Sequence, residues 1–214
     1  MRLEALFRYP VKSMAGERLE SAELRLDGVA GDRRAVVVDR SGRVVTSRTR
    51  PRLLAHAGSL GLDGAPLVDG RNLSDPSVAR DVEAAAGAGA RLVLVDEPDV
   101  RFDILPLLVA TDGAVAAFGR DIRRLRPNLL IGGVEGLAER DWEGRLLKVG
   151  EALVRLDDLR ARCVMTTWDP DTQAQDLDVL RDIQRRFGGR LALNAAVVKE
   201  GRVRVGDTVS LVEG

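Results

Sequence analysis

A chain of 214 residues is long enough for one sizeable core or two closely packed lobes. With 45% hydrophobic and 31% charged residues it has the composition of a globular protein rather than a disordered one. Lys plus Arg and Asp plus Glu both number 33, so no global field recruits nucleic acid or an anionic membrane surface, and any anion recognition has to be local. One cysteine, Cys163, and one histidine, His56, exclude an intramolecular disulfide, an iron–sulfur cluster, a self-sufficient zinc site and a His-rich metal centre.

In chain order, Leu3, Ala5, Phe7 and Tyr9 alternate with polar neighbours in the β manner, and Pro10 ends that strand. Ala22, Leu24 and Leu26 repeat the pattern before Asp27-Gly28. The run Ala35–Val38 is apolar on both faces and predicts a buried strand, turning at Arg40-Ser41-Gly42 into Val44-Val45-Thr46. Asp75-Pro76 starts a helix that carries Val78, Val82 and Ala85 inward until Gly87. Strand-like Leu92–Val95 follows, then Asp96-Glu97-Pro98-Asp99 with the character of a linker. A short helix around Val115 and Phe118 has Thr111 as its cap. Leu129–Ile131, Leu146–Val149 and Leu153–Leu156 read as strands. A helix presenting Leu177, Leu180, Ile183 and Phe187 on one face stops at Gly188-Gly189, and strands at 191–198, 203–205 and 209–211 finish the chain. Many short strands and few helices predict an α+β fold, mostly β, of barrel-like type rather than a doubly wound sheet.

Cys163 lies in Arg160-Ala161-Arg162-Cys163-Val164-Met165-Thr166-Thr167, where cationic neighbours suit a thiolate acting as nucleophile or soft-metal ligand; a small buried hydrophobe is the plain alternative. Trp168-Asp169-Pro170-Asp171-Thr172 reads as a turn. Arg126-Pro127-Asn128 holds a guanidinium at a strand end, suited to bidentate anion binding or simply to a solvated surface. Tyr9–Ser13, Gly31–Arg34 and Thr46–Arg48 each place a cation beside a turn; together they would build a phosphate or pterin pocket, although one at a time they are ordinary surface charges. His56 has no ligand spacing around it and reads as structural.

Taken together, these segments resemble the MOSC family, the domain of the molybdenum cofactor sulfurase C-terminus and of the amidoxime-reducing component. The resemblance spans nearly the whole chain: Tyr9–Ser13, Gly31-Asp32-Arg33 and Thr46–Leu53 match the N-terminal β-barrel domain, while Leu125–Leu129, Arg162-Cys163, Thr166–Thr172 and Val205–Val209 match the MOSC domain proper. It implies a MOSC-type β-barrel with a smaller N-terminal barrel-like domain, divided at 1–98 and 99–214 with the lobes closely packed. It implies a molybdenum–pterin cofactor, with Cys163 as the protein ligand to the metal and Lys12, Ser13, Arg33 and Arg126 holding the pterin and its phosphate. Thr111 is a further candidate, because free N–H groups at a helix start receive anions. Pyridoxal phosphate binding attaches only to the family at large.

The activity implied is reduction of N-hydroxylated small molecules, with Asp169 as a guess for the proton donor and electrons arriving from a separate ferredoxin- or flavoprotein-type partner. Two departures stand out: Ala161 replaces a hydroxyl residue two before the cysteine, and Trp168 replaces a smaller aliphatic residue and is expected to narrow the pocket. A sulfur carrier with Cys163 as persulfide site, and a non-catalytic binding barrel, remain open from the residues alone. The lack of an apolar leader or spanning segment leads us to expect a cytoplasmic protein with no membrane or nucleic-acid partner.

Overall fold

The computed structural model describes residues 1–212. The first half runs β1 (Arg2–Arg8), β2 (Glu17–Leu19), β3 (Ser21–Arg25), β4 (Gly28–Val29), β5 (Ala35–Val38), β6 (Val44–Val45), β7 (Gly58–Leu60), β8 (Pro66–Val68), β9 (Arg71–Asn72), α1 (Pro76–Ala86), β10 (Arg91–Leu94) and α2 (Pro98–Arg101). The second half runs β11 (Leu107–Thr111), α3 (Asp112–Phe118), β12 (Leu129–Gly132), β13 (Leu146–Val149), β14 (Ala152–Ala161), α4 (Asp178–Phe187), β15 (Arg190–Lys199), β16 (Gly201–Arg204) and β17 (Val209–Val212). The fold is α+β and mostly β, as the density of short alternating segments predicts.

The main sheet has eight strands in the order β17-β13-β14-β15-β11-β12-β1-β2. β11 and β12 run parallel, which α3 and the following turns make possible by returning the chain to the same end of the sheet. β1 pairs antiparallel with β12, placing Leu3 opposite Ile131 and Leu6 opposite Leu129. All four side chains are fully buried, and each contributes roughly 2 kcal/mol of apolar burial. That is enough to fix β1, with β2 at its outer edge, in a sheet whose other six strands come from the second half of the chain.

Three small sheets, β10-β5-β6, β16-β3-β4 and β7-β8-β9, surround the large one. In β5 every residue is buried, as an apolar run on both faces requires. α1 begins where the Asp75 carboxylate accepts the Ser77 N–H and Pro76 fills the first turn; it buries Val78, Val82 and Ala85 against Val11, Met14 and Leu53.

Two expectations need correction. α4 buries Val179, Ile183 and Phe187, while Leu177 lies just before the helix and is half exposed. The true stripe is i, i+4, i+8 from Val179, packed against Phe118, Leu125 and Leu191. Asp96-Glu97-Pro98-Asp99 is not a linker: Pro98 and Asp99 begin α2, which buries Arg101, and residues 102–106 then pack as a strap against the site described below. No helix among the described residues is long and apolar enough to cross a membrane.

Candidate functional site

A carboxylate that the sequence did not single out organises the site. Asp32 is fully buried; it accepts the Tyr9 N–H at 2.6 Å and the Asn128 amide at 3.2 Å, and pairs with Arg33. Tyr9 reciprocates by donating its hydroxyl to the Pro127 carbonyl at 3.0 Å, and its own carbonyl accepts the Arg33 N–H at 2.8 Å. One buried acid therefore ties three distant segments, at 9–13, 31–33 and 126–128, into a single wall. Burial pushes the Tyr9 phenol up to about 12, against the pull of Arg126 and Arg33, so it stays a neutral donor.

These segments line a cleft of about 550 Å³, within the range of small-molecule and cofactor sites. Lys12, Ser13, Arg33, Arg126 and Cys163, five residues singled out from the sequence, all face it, joined by Arg48, Arg160, Arg162 and Asp103. Ser13, Arg33 and Arg126 have φ of 74°, 51° and 57°, a left-handed conformation that costs a side-chain-bearing residue about 1 kcal/mol or more. Three such positions at one cleft are held by the surrounding hydrogen bonds rather than by local preference.

The electrostatics are lopsided. The Arg126 guanidinium lies 4.3 Å from the Tyr9 ring centroid and has no hydrogen-bond acceptor among the described residues; burial lowers it from the ordinary arginine range to about 10. Arg162 is also lowered to about 10 by burial, then by Arg160. One of its terminal nitrogens donates to the Leu125 carbonyl at 2.7 Å, and its Nε is left without a partner. Partly buried cations without counter-charges carry a desolvation cost, and an anion entering the cleft would relieve it. Cys163 is the one cysteine and is unpaired, half-buried between Arg162 and the turn at Val164–Thr167, with the Arg48 side chain against it. Ser47 donates to the Met165 sulfur at 3.5 Å, holding the Thr46–Arg48 loop over this turn.

The other two candidates are not in the cleft. Thr111 caps α3, accepting the Ala114 N–H at 3.1 Å and donating to buried Glu139 at 3.2 Å. Asp112 beside it ties the helix start to the loop at Gly133-Val134, so no open N-terminus remains to receive an anion. Asp169 accepts the N–H groups of Thr172 and Asp171, and these bonds hold its carboxyl down at about 2. It also grips Arg124 at 2.8 Å, and Arg124 lines the cleft; Asp169 is a positioning residue with no proton to donate near neutrality. Trp168, too, does not line the cleft and does not narrow it, whereas Ala161 does face it. Among the described residues no cluster of three or more His, Cys, Asp or Glu could hold a metal ion, so a metal at Cys163 has to bring most of its own ligands.

The residues present fit an anionic, sulfur-bearing metal cofactor: two partly buried, under-compensated guanidinium groups, a cleft of suitable volume and one soft donor lining it. Fold and site together define a mostly β protein built around a cation-lined, cofactor-sized cleft. Comparison with family models refines that class: the MOSC N-terminal β-barrel domain matches residues 1–75 and the MOSC domain matches residues 112–210. The chain belongs to the MOSC family.

It is similar to mitochondrial amidoxime-reducing component 1 of Homo sapiens, at 24% identity over a 280-residue alignment covering 97% of this chain and 82% of that protein. The resemblance to mitochondrial amidoxime reducing component 2 of Macaca fascicularis is comparable, at 25% identity with 95% and 81% covered. Among solved structures, the YUAD protein from Bacillus subtilis aligns over 98% of this chain and 94% of its own, with a TM-score of 0.51 and 12% identity, a likeness of fold alone.

Proposed function

We propose that the chain is a molybdenum-cofactor-binding oxidoreductase that reduces N-hydroxylated small molecules, taking electrons from a separate ferredoxin- or flavoprotein-type protein. The observation that carries this reading is the convergence of Lys12, Ser13, Arg33, Arg126 and Cys163 on one cleft. The similarity to proteins named amidoxime-reducing components supplies the reaction class. In balanced form an amidoxime, two electrons and two protons yield an amidine and water.

The cofactor, when bound, supplies the two-electron chemistry. The chain supplies the rest. Arg126 and Arg162 neutralise the cofactor's anionic groups at charges that burial has already made costly to leave unpaired. Ser13, next to Lys12, presents a hydroxyl from a strained turn, and Arg33 is fixed by Asp32 and stacked between Tyr9 and Phe102. Cys163 offers its sulfur as the protein ligand to the metal. Leu105, Leu107 and Leu108 give the cleft an apolar side that keeps water from the reacting centre.

The test is molybdenum and pterin content of wild type and Cys163→Ser purified from a host that makes the cofactor. Roughly one metal per chain in wild type, lost in the variant, supports the reading and leads to an N-hydroxy reductase assay. Metal-free wild type sinks it and leaves a persulfide on Cys163 as the chemistry to examine.

A further inference from the structure

We propose that Lys12, Arg48 and Arg160 form an oxyanion subsite in the cleft, and that the carboxylate of Asp103 fills it as a displaceable internal anion. Asp103 lies 3.1 Å from the Lys12 ammonium, 2.5 Å from Arg48 and 3.5 Å from Arg160. These cations come from three separate parts of the chain: the turn after β1, the loop after β6 and the end of β14. Two of them have neutral anchors of their own. Lys12 also donates to the Val100 carbonyl at 2.9 Å, and Arg160 to the Asn194 side chain at 3.0 Å, with Asn194 bonded in turn to Asp158. The cluster therefore keeps much of its geometry without Asp103.

One carboxylate against three cations leaves a surplus of two positive charges. A phosphate monoester carries about −1.5 to −2 at neutral pH and three terminal oxygens, one for each cation, and so matches the cluster better than a carboxylate does.

The strap that carries Asp103 is built to yield. Among the described residues, the backbones of 103–106 make no backbone–backbone hydrogen bond, and Ile104 leaves more than half of its surface in water. Behind the strap lies a second cavity of about 660 Å³, which shares Phe102, Asp103, Ile104 and Leu105 with the cleft as a common wall. Asp103 therefore has room to withdraw. The strap also falls within residues 76–111, the stretch outside both family matches, whereas Lys12, Arg48 and Arg160 lie inside them. The three cations thus lie in the matched spans, and the plug lies in the segment between them.

This inference rests on the cleft being a binding site but not on the metal, and it is tested on metal- and pterin-free protein. Inorganic phosphate is titrated calorimetrically into wild type, Asp103→Asn, and Asp103→Asn combined with Arg160→Gln. Removing the competing charge should tighten phosphate binding roughly tenfold, and the second substitution should take the gain back. Affinity in Asp103→Asn equal to or weaker than wild type, or a gain that survives loss of Arg160, overturns the proposal.

Limited proteolysis of wild type gives an independent reading that needs no variant: saturating phosphate should speed cleavage within residues 103–106, and an unchanged cleavage rate there overturns the proposal as well. Repeating the titration on pterin-loaded protein identifies the source. Lost phosphate binding assigns the subsite to the cofactor's own phosphate; retained binding assigns it to a free or substrate-borne oxyanion. Failure of the metal analysis with success here would leave the subsite intact and remove only the molybdenum.

Discussion

At Arg126 the backbone and the side chain make opposite demands. Its left-handed φ of 57° is unfavourable for any residue with a Cβ, while its guanidinium is the least compensated charge in the cleft. Arg126→Ala and Arg126→Gly both delete the charge and the stacking on Tyr9, but only glycine relieves the backbone. The glycine variant should be the more stable of the two by about 1 kcal/mol in denaturant unfolding. If the proposed function holds, both should also purify with less pterin than wild type; equal stabilities would show that the strain is not stored there.

Glu139 poses a different problem. It is fully buried with Oε1 unpartnered, and burial raises its carboxyl above the ordinary value, partly offset by its own N–H and Thr111. A raised folded-state value means that the folded protein holds this proton more tightly than the unfolded chain does. Stability therefore falls as pH rises from the usual glutamate range, about 4.3, through the raised value, and stays lower beyond it. Glu139→Gln should unfold at a higher temperature than wild type at pH 8, by about 1 kcal/mol of stability, with the gap closing near pH 4. A gap of the same size at both pH values would show that ionisation is not the cause.

Among secondary-structure elements, α3 shows how packing reverses a propensity. Gly113 sits in its first turn, where alanine would ordinarily gain up to about 1 kcal/mol. A Cβ there, however, would run into the backbone carbonyl oxygens of Val134 and Gly136, in a loop that Asp112 pins through two N–H bonds. Gly113→Ala should therefore destabilise, by about 1–2 kcal/mol in urea unfolding; a neutral or stabilising result would mean that the loop moves freely.

α1 was legible because a helical stripe coincided with real burial, and β5 and β15 because their apolar runs are buried on both faces; β1 is a strand as its pattern predicts, but a bulge after Leu3 breaks the alternation, so that Leu3 and Leu6 share one core while Ala5 and Phe7 enter another. α4 was placed correctly but turned on its axis: Leu177 and Leu180 drew the stripe toward themselves, though Leu177 precedes the first helical residue. β7, β8 and β9 escaped notice because strands of two or three residues carry no measurable period.

On the scale of the molecule, equal numbers of acidic and basic residues conceal a local imbalance, since Lys12, Arg33, Arg48, Arg126, Arg160 and Arg162 face one cleft. Their convergence was not written in any window of sequence; for Lys12, Arg33 and Arg126 it depends on Asp32, which looks in the sequence like one more turn carboxylate beside an arginine. Asp103 was invisible for the same reason, because its partners lie 91, 55 and 57 positions away along the chain. Short-range pattern reveals elements, while the site is made by long-range closure.

That closure also sets an order of events during synthesis. One edge of β1 pairs locally with β2, but its other edge finds its antiparallel neighbour only at Leu129–Gly132, so that edge has to wait for well over half of these residues to be made before it is covered. In the interval the β1–β2 pair presents an apolar strand with one edge open. The protein's demand on cellular chaperones should then fall within a defined span of translation, ending when residue 132 emerges.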